Sequence, residues 1–189
     1  MMTGEDRSAV SALAQKRGKE FESAIIKTAF NYERNRLLVL RKVDPPTVQF
    51  GGRLIRKRSP FLDFVGSWTE RGGRALFLEA KSVNQGVLPI GDRGLKPEQW
   101  NSMRVWHWAG ALTGIIWRHS TGVVWITYED LRDKIDGGAV SFPARYGHSI
   151  ACDWSTNTVD FLPILRRIEA GEKPGFNPVI EPGFALTHG

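Results

Sequence analysis

The sequence predicts a mixed α/β domain: a mixed central β-sheet flanked by helices. Three observations carry that expectation. Segments of strand composition alternate with segments of helical periodicity. Residues 61–68 and 75–83 are rich in aromatic and branched side chains and flank Thr69-Glu70-Arg71-Gly72-Gly73, a turn signal. The 189 residues are 41% hydrophobic and 24% charged, enough for one folded domain with a real core.

Taken in order, residues 1–15 are expected as an N-terminal arm, polar and mobile to about residue 8. Residues 11–31 read as a helix, with Phe21, Ile25 and Ala29 at i, i+4 and i+8. Glu22 lies one position along and borders that apolar stripe. On spacing alone it is a surface glutamate paired with Lys19. Residues 36–43 read as a strand, which Asp44-Pro45-Pro46 breaks. Residues 44–60 are an exposed basic segment with Gly51-Gly52, a short hairpin or loop. The central hairpin follows, then a Gly-rich loop over residues 82–95, placed where a strand end meets substrate. Residues 96–109 form a helix with Pro97 in its first turn. Gln99, Met103 and Trp106 share one stripe; Trp100 and His107 share another, with Trp108 nearby. Three tryptophans on one helix serve core packing and a partner face, or base stacking. Residues 112–118 and 122–127 form a second hairpin. Residues 128–136 are a short helix ended by Gly137-Gly138, residues 139–144 a further strand, and residues 161–169 a last helix. Residues 170–189, with Pro174, Pro178 and Pro182, are an extended C-terminal tail.

The chemistry lies in three charges that interrupt the central hairpin: Asp63, Glu79 and Lys81. A turn centred on Arg71 sets Asp63 opposite Glu79, and one centred on Gly72 sets it opposite Lys81. Both registers put all three on one face, because Glu79 and Lys81 are two apart on one strand. Two carboxylates among apolar groups repel each other and lose hydration, which raises the pKa of at least one. A divalent cation relieves both problems, and Mg²⁺ favours one or two carboxylates plus waters and phosphates. A lysine beside such a site orients a water or stabilises charge developing on a phosphate.

Net charge is +6, unevenly spread. Residues 34–60 hold eight Lys or Arg against Asp44 alone, a net +7, while the remainder sums to −1. Such focusing suits a polyanion, and nucleic acid above all. Cys152 is the only cysteine, which excludes an internal disulfide and fits a reducing compartment. No apolar run is long enough to span a membrane, and no signal-peptide pattern opens the chain. A cytoplasmic setting, in a bacterium or phage-infected cell, is expected. No pair of histidines has metal-ligand spacing, and no Walker pattern is present.

An Asp on one strand and Glu-x-Lys on the next resembles the PD-(D/E)xK nuclease superfamily. Within it the chain resembles the RecU-type Holliday junction resolvases. The matching pieces are Arg17-Gly18-Lys19-Glu20-Phe21-Glu22, the run Leu40-Arg41-Lys42-Val43-Asp44-Pro45, Asp63-Phe64-Val65-Gly66, Phe77-Leu78-Glu79-Ala80-Lys81 and Glu98-Gln99-Trp100-Asn101. They run in order across residues 16–169, followed by Val159-Asp160-Phe161-Leu162.

The resemblance implies a restriction-endonuclease-like core over residues 16–169, with residues 44–60 as a shortened stalk-like protrusion. It implies Mg²⁺-dependent endonucleolytic cleavage of branched DNA, chiefly the four-way junction, with Mn²⁺ substituting, by a homodimer. No small-molecule cofactor and no membrane partner are expected. Asp63, Glu79, Lys81 and Gln99 would be catalytic. Asp63, Glu79 and the Ala80 backbone carbonyl would hold the metal, with Glu22 close by. Arg17, Arg41, Lys42, Arg53, Arg56, Lys57 and Arg58 would bind DNA. The family's catalytic Asp follows a Thr; here that position is Leu62. A related nuclease of duplex or single-stranded DNA, or a catalytically weak junction-binding architectural protein, is the alternative.

Overall fold

The structure is a computed structural model that describes residues 4–44, 47–56, 62–92 and 94–174. The chain runs α1 (Gly4–Arg34), β1 (Val39–Lys42), β2 (Thr47–Phe50), β3 (Arg53–Arg56), β4 (Phe64–Trp68), β5 (Arg74–Ser82), β6 (Val87–Pro89), α2 (Pro97–Trp108), β7 (Leu112–Arg118), β8 (Val123–Thr127), α3 (Tyr128–Asp136), β9 (Ser141–Pro143), β10 (His148–Asp153), β11 (Thr158–Asp160) and α4 (Leu162–Glu169). Seven strands form one mixed sheet in the order β1-β4-β5-β7-β8-β10-β11. Only β5 and β7 are parallel, joined by a crossover through α2; every other pairing is antiparallel.

The sheet is covered on both faces. Alternation along β5 decides which side chains go where. Leu76 and Leu78 face a cluster with Phe21, Ala24 and Ile25 of α1 and Leu162 and Leu165 of α4. Phe77 faces Met103 of α2, Leu131 of α3 and Ile115 of β7. Fully burying such a side chain contributes about 1.5–3 kcal/mol each. Glu79 and Lys81 continue the α2 face of β5 toward the strand's end.

The hairpin register is the one centred on Arg71: Phe64 pairs with Leu78 and Trp68 with Arg74. A 3₁₀ turn over Thr69–Arg71 leads into Gly72 and Gly73, at φ of 64° and 81°. β1 packs close on the outer side of β4, with Leu40 opposite Gly66. A Cβ at Gly66 would lie 2.2 Å from the Val39 carbonyl oxygen. Gly66→Ala therefore forces β1 outward. It is expected to cost on the order of 2–3 kcal/mol, read as a lower urea midpoint at unchanged slope.

Two hydrogen bonds pin α1 to the far end of the chain. Thr28 Oγ1 accepts from the Val159 amide at 2.9 Å, and Tyr32 Oη accepts from the Leu162 amide at 3.1 Å. Tyr32 in turn donates to Asp160.

Several expectations need correcting. Helix α1 begins at Gly4, seven residues before the expected start at residue 11 and within what was expected as an arm, although its side chains from Ser8 to Lys16 are exposed. The loop over residues 82–95 contains β6, which pairs with β9 and buries Leu88 and Phe142. β10 and β11 complete the sheet where no strand was expected. In the basic segment the expected hairpin is present: residues 47–56 form the two-stranded β2–β3 pair, turning at Gly51 and Gly52 with φ of 58° and 77°. Of the tail, residues 175–189 lie outside the described residues. Among the described residues no helix is long and apolar enough to cross a membrane.

Candidate active site

Asp63 lies just before β4, where the ladder with β5 has ended. Its Oδ2 accepts from the Ala80 amide at 2.9 Å, taking the position a ladder partner would hold. In a strand, a residue's N–H and C=O point to the same edge, so the Ala80 carbonyl also faces the Asp63 side. Glu79 is 3% exposed. The two carboxyls sit close enough for each to act on the other's charge.

Their proton affinities follow from that placement. Burial pushes the Glu79 carboxyl up to about 7, opposed by Lys81 and reinforced by Asp63. Burial also raises Asp63; the Ala80 amide and Lys81 oppose it, and Glu22 adds to it. Both carboxyls therefore hold protons better than free ones do, as competition for one small buried volume requires.

Lys81 Nζ sits 3.0 Å from Glu79 Oε1 and donates to Gln99 Oε1 at 2.8 Å. Gln99 stands at the third position of α2. There its Oε1 also accepts from the Lys96 amide at 3.1 Å, and its amide nitrogen donates to Glu79. The glutamine thus closes the first turn of α2 and bridges both charges on β5. One oxygen with two donors, and one nitrogen with a carboxylate acceptor, fix the amide's orientation.

Glu22 approaches from α1 on the Asp63 side and pairs with Lys42 Nζ of β1 at 2.6 Å. That bond is the main reason the Lys42 ammonium holds its proton more tightly. So Asp63, Glu79, Lys81, Gln99, Ala80, Glu22 and Lys42 converge at one rim of the sheet. Arg41 and Arg17, also expected to bind DNA, have other partners. Arg41 forms a two-point ion pair with Glu33. Arg17 lies farther along α1, donating to the His119 carbonyl. The backbone of Arg53 and Arg56 is in β3, while their side chains, and Lys57 and Arg58 entirely, lie outside the described residues.

Sequence reasoning missed two partners. Lys96 holds Gln99 through its amide; the signal was a glutamine three residues into a helix beginning Lys-Pro. The Glu22–Lys42 pair joins elements 20 residues apart and has no local signature. Leu62 is 1% exposed and packs with Phe77, Leu88 and Val124, so that position serves the core. The tryptophans divide: Trp106 stacks on Phe77 at 4.0 Å and Trp100 on Tyr128 at 4.6 Å, while Trp108 is exposed beneath the Arg104 guanidinium.

Chemically, the donor set suits a hard divalent cation: two carboxylates of raised proton affinity beside a backbone carbonyl. Among the described residues no group of three or more His, Cys, Asp or Glu side chains is arranged to hold a metal ion. A site of two carboxylates leaves coordination positions for water and phosphate.

No protein-family model matches the chain, and no curated protein matches its sequence. Among solved structures, it is similar to Hjc from Archaeoglobus fulgidus, a Holliday junction resolvase from an archaeal hyperthermophile. Identity is 14%, over 59% of this chain and 78% of that one, with a TM-score of 0.40. It is also similar to the crystal structure of SSO0001 at 10% identity, over 92% of this chain and 66% of that one, with a TM-score of 0.32. Both likenesses are distant and concern the path of the chain alone.

Proposed function

We propose that this chain is a Mg²⁺-dependent DNA endonuclease that resolves four-way junctions by phosphodiester hydrolysis, with Mn²⁺ able to substitute. The observation that carries the reading is the buried Asp63–Glu79 pair, with Lys81 and Gln99 bridged beside it. Such a pair is costly to bury unless a cation is its purpose. The motif order resembling the RecU-type resolvases supports it, as does the net +7 over residues 34–60.

Asp63, Glu79 and the Ala80 carbonyl would hold the ion, with Glu22 at its edge. When bound, the ion supplies a water of lowered pKa and neutralises charge on the scissile phosphate. The Ala80 amide orients Asp63. Lys81 faces the carboxylates and offers its ammonium protons to the attacking water or to the phosphate oxygen gaining charge. Gln99 holds Lys81 and Glu79 at fixed separation. Lys42 and Arg41 exchange their carboxylate partners for phosphates when DNA arrives, and Arg17 and the β2–β3 hairpin with Arg53, Arg56, Lys57 and Arg58 add contacts without sequence preference. A symmetric junction needs two matched cuts, so the working form is a C2 homodimer.

The test is cleavage of an end-labelled synthetic four-way junction beside linear duplex and single-stranded DNA, with Mg²⁺, Mn²⁺ or EDTA. Paired metal-dependent nicks on the junction alone support the proposal. Equal cutting of all three substrates replaces it with a general nuclease, and tight junction binding without cutting replaces it with an architectural protein. Gln99→Leu is expected to slow single-turnover cleavage about 10–100-fold while leaving junction affinity unchanged in a gel-shift titration.

A further inference from the structure

At the ends of β5 and β7, on the α1 face of the sheet, a cleft of about 350 Å³ opens to solvent. Arg17, Asn84, Arg118, His119, Thr121 and Trp154 contribute to its lining, and no carboxylate lines it. Arg17 donates to the His119 carbonyl at 2.5 Å, which ties α1 to the turn after β7. The Arg118 guanidinium lies flat over the Trp154 ring, 4.1 Å from its centroid. Its Nη1 is buried and has no hydrogen-bond partner. The carboxylate paired with it, Glu20, stands 3.8 Å away, outside hydrogen-bond reach.

A buried guanidinium N–H without an acceptor costs free energy, and two arginines in one cleft repel. Burial and the nearby Arg118 charge lower the proton affinity of Arg17; burial and Arg17 do the same to His119. The cleft therefore holds two cations beside a neutral imidazole and the hydroxyl of Thr121. A tetrahedral oxyanion in the cleft offsets that repulsion and offers acceptors to the guanidinium groups. The indole holds the Arg118 plane, so its donors are oriented in advance.

Position says which oxyanion. Ser82, three residues beyond Glu79, is in register with Arg118. Asp63 precedes the Phe64–Leu78 pair and so lies across from Glu79, which is in register with Ile115; Arg118 is two strand spacings across and three residues along, roughly 14 Å away. A few nucleotides of one DNA strand span that distance.

We propose that this cleft is a phosphate subsite, which takes a backbone phosphate of the DNA strand running along the rim from the cleaved position. The assignment of the phosphate to DNA rests on the nuclease reading above; the phosphate chemistry does not.

The experiment uses full-length chain carrying Asp63→Asn, so that DNA stays uncut. Junction affinity is measured against salt concentration for this parent and with Arg118→Gln, Arg118→Lys or Arg132→Gln added. Arg132 lies on α3 and is paired with Asp133. Arg118→Gln is expected to weaken binding about tenfold near 0.1 M salt and to flatten the slope of log affinity against log salt by about 0.9. Arg118→Lys restores the slope, and Arg132→Gln changes neither quantity. In a second arm, inorganic phosphate is titrated while the Trp154 indole N–H resonance is followed. It shifts saturably in the parent and not in Arg118→Gln. If Arg118→Gln does not fold, Arg17→Gln is read in its place. A parent that binds DNA with a slope Arg118→Gln leaves unchanged overturns the DNA assignment. A parent that binds no DNA overturns the nuclease reading instead, and the phosphate arm alone then decides the subsite: a saturable shift keeps it, and no shift removes it.

Discussion

On the proposed function, Asp63→Asn is expected to abolish metal-dependent junction cleavage, by a factor of at least about 10³, or roughly 4 kcal/mol of transition-state stabilisation. The substitution is nearly isosteric, and the asparagine oxygen still accepts from the Ala80 amide that holds Asp63 at 2.9 Å. What disappears is one of the two negative charges available to a divalent ion. Junction affinity measured in EDTA should be unchanged, or slightly improved, because a charge that repels phosphate has gone. Single-turnover cleavage with Mg²⁺ is the measurement. A variant that cuts within tenfold of the parent rate would remove Asp63 from the metal site and the proposal with it.

The second large effect is on stability, and its sign follows from Glu79. Its carboxyl goes from an ordinary 4.5 to about 7 in the folded chain. A raised folded-state value means the folded protein holds the proton where the unfolded chain has released it. The associated stability is fully present below pH 4.5 and is lost as pH rises through 7. The metal-free chain is therefore expected to lose on the order of 3 kcal/mol through this group between pH 4.5 and 8. In melting temperature that is roughly 6–12 °C for a chain of this size. Asp63 shifts in the same direction and adds to the loss. Glu79→Gln should flatten the profile, and saturating Mg²⁺ should recover the lost stability at pH 8 but not at pH 5, where protons compete for the site. Thermal melts across pH, with and without the ion, test all three. A metal-free melting temperature that rises from pH 5 to 8 would show that Glu79 is not the buried acid described here.

The core of the site was legible in the sequence because it depends on local arithmetic. Asp63 and Glu79 each lie eight residues from Arg71, so a tight turn there brings them together whatever the rest of the chain does. The strand period of two then puts Lys81 on the same face. Gln99 was legible as a residue and not as a device, since its three partners come from β5 and from its own helix start. Glu22 looked like a surface glutamate beside Lys19, and only the packing of α1 across the sheet reveals Lys42 as its partner. β10 escaped notice because His148-Ser149-Ile150-Ala151-Cys152-Asp153 has a single large aliphatic residue; its pairing with β8 defines it. β11 has three residues, too few for any periodicity. Residues 8–16 of α1 carry no buried side chain, so no apolar stripe announced them.

The pins on α1 carry a consequence for how the fold comes into being. Every residue at the carboxylate rim lies before residue 100, and the phosphate cleft needs only Trp154 beyond residue 122. Yet the axial position of α1, and with it the placement of Glu22 and Arg17, is held by Thr28 on the Val159 amide and Tyr32 on the Leu162 amide. During synthesis, a ribosome will have released the whole central hairpin and α2 long before those two amides emerge. The rim is thus locked by the last strand and helix among the described residues, and a chain interrupted short of residue 158 carries every rim residue without the clasp that aligns them.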